Sequence, residues 1–247
     1  MSVLAGKAAV VTGGSRGIGR AIVQRLARDG AAVVFGYGGN KAAAEETVQA
    51  VQAAGGTVWA LQYDLAEPDA AEELMTEAEG LLGGLDILVN NAAVIRRLTA
   101  LADTDPADFD HMLAVNARAP FLTMRYAARR MRDGGRIVNV SSATTAHPSP
   151  KVGTYVAGKG ALEQLSAVAA KELGGRGITV NTLSPGATDT EMLRGANTDE
   201  ILAAIPAMTP LGRLGEPADI ADVVGFLAGP DGRWVTGQNL RATGGLG

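Results

Sequence analysis

Short apolar runs rich in β-branched residues alternate along this chain with longer stretches in which apolar positions recur every three or four residues. The first pattern predicts strands at Ala8–Thr12, Ala31–Phe35, Val58–Gln62, Ile87–Asn90, Arg136–Ser141, Ile178–Leu183 and Gln238–Ala242. The second predicts helices at Gly17–Arg28, Lys41–Ala53, Pro68–Leu82, Pro106–Arg132, Tyr155–Leu173 and Pro217–Leu227. Strand followed by helix, repeated, is the grammar of βαβ units, in which each crossover helix returns the chain to a parallel strand. Strands apolar at nearly every position are covered on both faces. The expected fold class is α/β, a doubly wound sheet of about seven parallel strands flanked by helices. No repeat, low-complexity tract or Pro/Ser-rich linker divides residues 1–247, so one domain is expected.

Composition narrows the function classes. Forty-seven per cent hydrophobic residues leave material for one large core, and 33 glycines suit many strand–helix turns. A net charge of −4 gives no global footprint for nucleic acid. With no cysteine, disulfides, thiolate nucleophiles and cysteine-ligated metals are excluded. The opening Met1-Ser2-Val3-Leu4-Ala5-Gly6-Lys7 reaches a charge before a secretory apolar core can form, and no apolar run approaches the ~18 residues of a membrane span. A cytoplasmic protein without a membrane partner is expected.

Doubly wound sheets bind ligands beyond the carboxyl ends of their strands, and the notable polar residues cluster there. After the first strand comes Thr12-Gly13-Gly14-Ser15-Arg16-Gly17-Ile18-Gly19. Gly13, Gly17 and Gly19 let bare backbone approach a pyrophosphate at the positive end of the following helix. The spacing, Gly-x3-Gly-x-Gly, differs from the commoner Gly-x-Gly-x2-Gly fingerprint, and alone it also fits a tight strand–helix turn.

Further on stand Ser142, Tyr155 and Lys159, the last two within Tyr-Val-Ala-Gly-Lys. If Tyr155 opens a helix, Lys159 lies one turn later on the same face, where its ammonium is expected to lower the phenol's pKa. Such a phenol exchanges a proton with a carbonyl oxygen while the Ser142 hydroxyl holds that oxygen. By composition alone Ser141 is an equal candidate.

In this order the motifs resemble those of the short-chain dehydrogenase/reductase family over nearly the whole chain. Thr12-Gly13-x3-Gly17-x-Gly19 is similar to its dinucleotide loop, Asp64-Leu65 to its adenine contact, and Asn90-Asn91-Ala92-Ala93 to its strand-four loop. Asn116, Ser142, Tyr155 and Lys159 resemble its catalytic tetrad, and Pro185-Gly186 with Thr188 its nicotinamide-side loop. The resemblance implies a Rossmann-type fold and hydride transfer between a nicotinamide and a ketone, aldehyde or secondary alcohol, with no metal. In that scheme Tyr155 exchanges the proton, Ser142 stabilises the oxyanion, Lys159 binds the ribose, and Asn116 holds a water linking the lysine to solvent. Ser15, Arg16, Ile18, Asn91 and Ala92 join the cofactor contacts. Ala93 departs from the family's glycine and restricts positive φ, with an expected effect on fine geometry beside the cofactor. A homotetramer is also implied, with the 106–132 and 155–173 helices and the 234–247 segment as interfaces.

Cofactor preference is expected from the end of the second strand, Gly36-Tyr37-Gly38-Gly39-Asn40-Lys41. NAD-preferring relatives place an acid there; here the position is Tyr37, and no acid precedes Glu45. Arg16 offers a planar fork for a 2′-phosphate, with Asn40 or Lys41 as further donors, so NADP(H) is expected and NAD(H) left open. Residues 188–211 combine Met192, Leu193, Ile201, Leu202, Ile205 and Met208 and fit either a substrate lid or an ordinary amphipathic surface. Arg125, Arg129, Arg130, Arg132, Lys171 and Arg176 form either a solvated face or a dock for an acyl carrier protein, a partner of the 3-oxoacyl-carrier-protein reductases in this family. Two other readings stay open: an NAD-dependent sugar, steroid or polyol alcohol dehydrogenase, and a dinucleotide-sensing regulator without turnover.

Overall fold

The computed structural model describes residues 2–246. Residues 1 and 247, the two ends of the expected domain, lie outside the described part. Seven parallel strands form one sheet in the order β3-β2-β1-β4-β5-β6-β7, built from β1 (Ala8–Thr12), β2 (Ala32–Tyr37), β3 (Thr57–Gln62), β4 (Ile87–Asn90), β5 (Arg136–Val140), β6 (Thr179–Pro185) and β7 (Asn239–Ala242). Every expected strand is present: Ala8–Thr12 and Ile87–Asn90 have the expected bounds, and no end of the others is shifted by more than two residues. The central ones are apolar because both faces are covered: β1 and β4 are buried at every position.

One face carries α1 (Gly17–Arg28), α2 (Lys41–Ala53) and α9 (Pro217–Ala228), packed through Ile22, Leu26, Val51 and Val224. The other carries α3 (Ala70–Leu82), α5 (Ala119–Arg130) and α6 (Gly153–Leu173), packed through Met75, Met124 and Leu162. Strand order reverses between β1 and β4, which opens a crevice at their carboxyl ends.

The single helix expected over 106–132 is broken. It runs as α4 (Pro106–Leu113), a π turn at Ala114–Arg118, and then α5. Pro120 is the physical reason: it has no N–H to offer the Asn116 carbonyl four residues back, and its ring crowds that carbonyl. One wider turn relieves the clash, with the Ala119 N–H reaching the Ala114 carbonyl. Residues 188–211 fold into two short helices, α7 (Glu191–Ala196) and α8 (Asp199–Met208).

Candidate active site

A cleft of about 960 Å³ runs along the carboxyl ends of the strands, from the glycine turn after β1 to the start of α6. Gly13, Ser15, Arg16, Gly17, Ile18 and Gly19 line one end. Gly13 adopts φ +68°, and a Cβ there would stand 2.8 Å from the Ala92 Cα; at Gly19 it would overlap the Gly13 carbonyl oxygen. The turn is therefore fixed by close backbone packing as well as by conformation. Asn91 braces it, its Nδ2 donating to the carbonyls of Thr12 (3.1 Å) and Gly13 (3.0 Å). Thr12 Oγ1 accepts in return from the N–H groups of Asn91 and Ala92, both at 3.0 Å. Ala93 causes no backbone strain, since Lys151 alone among the described non-glycine residues has a positive φ.

The middle of the cleft is the end of β2 and the loop after β3. Tyr37, Asn40, Asp64 and Leu65 all line it. Asn40 caps α2, its Oδ1 accepting from the Ala43 N–H at 3.0 Å, which leaves its Nδ2 as a donor. Asp64 is exposed and accepts from the Ala66 N–H at 3.0 Å. Arg16 lines the cleft, and its Nη1 donates to Glu191 Oε2 at 2.8 Å, so the fork expected for a phosphate meets a carboxylate of α7 here.

At the far end stand Ser142, Tyr155, Lys159, Pro185, Gly186 and Thr188. Ser142 follows β5 and caps a 3₁₀ turn (Ala143–Thr145), with its Oγ 2.7 Å from Thr144 Oγ1. Ser141, the alternative candidate, has its hydroxyl engaged, donating to Glu163 at 2.6 Å. Tyr155 is the third residue of α6, and Lys159 lies one turn on, its Nζ 5.9 Å from the Tyr155 ring centroid. Lys159 is fully buried and donates to the Val140 carbonyl at 2.7 Å.

The expected lowering of the Tyr155 phenol is not what this environment produces. Burial pushes the phenol up, with the Ser142 hydroxyl opposing in part. Lys159 is the group pulled down, to about 8, because burial outweighs the carboxylate of Glu163. Asn116 stands in the π turn. It is buried behind the cleft wall, its Nδ2 donating to the Val94 carbonyl (2.8 Å) and its Oδ1 accepting from the Val94 N–H (2.9 Å). Its side chain holds the strand-four loop, while its own carbonyl lacks the α-helical donor that Pro120 cannot supply.

Val94, Ile95, Leu98, Val152, Met192 and Leu193 make the remaining wall largely apolar. Of the basic residues considered as a dock, Arg125 pairs with Glu72, Arg130 with Glu79, Arg132 with Asp86 and Arg176 with Asp133. The motif reading missed a buried polar chain behind the site. Thr123 Oγ1 donates to Asn90 (2.7 Å), Asn90 to Asn139 (2.9 Å), and Asn139 to Ser166 (2.7 Å), tying α5, β4, β5 and α6 together. Polar residues inside otherwise apolar strands were its signal.

Among the described residues no helix is long and apolar enough to cross a membrane. The family model described as enoyl-(acyl carrier protein) reductase matches residues 13–247. An oxidoreductase of Methylorubrum extorquens is 44% identical over 100% of both chains. An NADPH-dependent aldehyde reductase-like chloroplastic protein of Arabidopsis thaliana is 39% identical over 98% of this chain and 94% of its own. A short-chain dehydrogenase of Burkholderia cenocepacia, solved in complex with NADP, is 40% identical over 99% of each chain and superposes with a TM-score of 0.93. A glycine turn, a serine-tyrosine-lysine cluster at the other end of one cleft, and likeness over the full length agree: the chain belongs to the short-chain dehydrogenase/reductase family of oxidoreductases.

Proposed function

We propose that this protein is an NADP(H)-dependent carbonyl reductase acting on small ketones or aldehydes, with Tyr155 as proton donor. The carrying observation is the polarity of one continuous cleft. Its glycine end presents bare backbone where added Cβ atoms would clash, and its other end gathers Ser142, Tyr155 and Lys159. The donor set fits a dinucleotide: backbone N–H groups at the start of α1 for the pyrophosphate, Asp64 and Leu65 beside the adenine, Pro185, Gly186 and Thr188 on the nicotinamide side. Tyr37 in place of an acid, with Arg16 and Asn40 nearby, favours the 2′-phosphate, and the NADP complex of the Burkholderia relative supports the same preference.

A bound NADPH supplies the hydride. The chain supplies the rest. Tyr155, kept protonated by its buried setting, gives its proton to the carbonyl oxygen as negative charge develops there. The Ser142 hydroxyl exchanges its contact with Thr144 for the same oxygen, a bond that strengthens as the charge grows. Lys159 places a cation beside the phenol ring and would donate to the ribose hydroxyls of a bound cofactor. Hydride on carbon and proton on oxygen yield the alcohol, and the tyrosinate is reprotonated from the Lys159 side. The apolar wall of Val94, Leu98 and Met192 suits an uncharged substrate, and 188–211 acts as its lid.

With four of the basic residues consumed in ion pairs, the geometry favours a free small molecule over a carrier-bound thioester. Exposed Phe109, Phe121 and Val168 on one side and Trp234 and Phe226 on the other suit two interfaces of a homotetramer, which a sedimentation mass checks. The test of function is a panel of ketones, aldehydes and oxoacyl thioesters followed by NADPH absorbance. Consumption with ketones or aldehydes supports the reading. No consumption across the panel favours a dinucleotide-sensing regulator.

A further inference from the structure

Glu163 lies on α6 one turn beyond Lys159, behind the cleft wall. A helix glutamate ordinarily points to water. This one gathers hydroxyls: its Oε1 accepts from Ser141 Oγ at 2.6 Å, from Thr145 Oγ1 at 2.7 Å and, at 3.5 Å, from Ser184 Oγ. Ser141 and Thr145 bracket the loop that carries Ser142, and Ser184 immediately precedes Pro185-Gly186. One carboxylate oxygen thus joins the helix bearing Tyr155 and Lys159 to the Ser142 loop and to the end of β6. Hydroxyl bonds to an ionised acceptor are short and strong, and they fix loop position more tightly than neutral ones.

The same carboxylate acts on Lys159. The Lys159 ammonium is buried, and its hydrogen-bond partner, the Val140 carbonyl, is neutral. The groups around it are Tyr155 and Glu163 on its own helix and Val140 and Ser141 from the β5 end, with Asn116 of the π turn against the adjacent Gly158. Of these, Glu163 alone brings negative charge.

We infer that Glu163 is a positioning residue, holding the Ser142 loop against α6 and supplying the counter-charge that keeps Lys159 an ammonium. The inference rests on the reductase reading for its kinetic consequence and not for its electrostatic one. Burial pulls Lys159 down to about 8 and Glu163 pushes it back, so loss of the carboxylate moves Lys159 further down.

The experiment pairs Glu163→Gln, which keeps an amide oxygen for the hydroxyls and removes the charge, with Glu163→Ala, which removes both. Side-chain nitrogen NMR of lysine-labelled, cofactor-free protein follows the Lys159 titration; kcat/KM against pH follows the reaction. In Glu163→Gln the Lys159 midpoint falls by about one pH unit, and the alkaline limb of kcat/KM falls with it. Glu163→Ala adds a pH-independent kcat loss on the order of tenfold to a hundredfold, through displacement of Ser142. An unmoved Lys159 midpoint in Glu163→Gln overturns the counter-charge, and a parental kcat in a folded Glu163→Ala overturns the positioning. A parent that reduces no carbonyl, combined with a midpoint that still falls, sinks the reductase reading and sustains the Glu163–Lys159 link.

Discussion

Arg16 in the glycine turn and Glu191 at the first position of α7 are bonded at 2.8 Å, so the turn after β1 is latched to the 188–211 segment at the cleft. Both side chains are largely exposed, and such a pair contributes well under ~1 kcal/mol. If Arg16 holds a 2′-phosphate as proposed, that phosphate competes with Glu191 for the same guanidinium, and the carboxylate also repels it. Glu191→Gln is expected to lower the NADPH Kd about two- to fivefold with little change for NADH, as read by fluorescence titration. An equal change for both cofactors shows that the latch does not touch the phosphate.

Arg16→Ala tests the other half of the pair. It removes the fork and is expected to weaken NADPH by about tenfold, roughly the worth of a charge-assisted hydrogen bond, and NADH far less. Tyr37→Asp places a carboxylate at the end of β2, where it accepts ribose hydroxyls and repels a phosphate, moving preference toward NADH. Unchanged kcat/KM ratios for the two cofactors in both variants would show that preference is set elsewhere.

The parallel sheet, its seven strands and the glycine turn were legible because each rests on a local rule. A fully buried parallel strand has to be apolar, and a Gly13 at φ +68° has to be glycine. What was not legible depended on three-dimensional neighbours. The periodicity of 106–132 gave no sign of the π turn, although Pro120 carried the reason for it. The partners of two site residues were equally hidden: the Asn116 side chain holds Val94, and Arg16 meets Glu191, 175 residues away. Lys159 was placed correctly on the face of Tyr155, but its titration is governed by burial, which spacing along a helix does not report.

Tyr155→Phe keeps the ring and removes the proton. Turnover is expected to fall on the order of ~10²-fold or more, the usual contribution of a positioned acid, while the NADPH Kd stays near parental. Since burial raises the phenol, reduction should run well at neutral pH, and alcohol oxidation, which needs the phenolate, should improve toward alkaline pH. Near-parental kcat in Tyr155→Phe with any accepted substrate removes the residue from the mechanism.

Lys159→Met sets stability against function. Lys159 in the folded protein releases its proton at about 8, against 10.5 ordinarily, because a buried ammonium is poorly solvated. Below about 8 both folded and unfolded chains hold the proton, and the folded state bears the whole desolvation cost. Between those values the unfolded chain holds a proton that the folded one has released, so parental stability rises with pH across that window. Methionine fills similar space without charge but leaves the Val140 carbonyl unpaired, a cost of about 1 kcal/mol. Near pH 7 the cofactor-free variant is therefore expected to be more stable than the parent by about 1–2 kcal/mol in denaturant titrations. The advantage should shrink as pH climbs from about 8 toward 10.5, while cofactor affinity and turnover are impaired at every pH. A variant less stable than the parent at neutral pH, or a gap constant across the window, would mean that Lys159 bears no such charge cost in the fold.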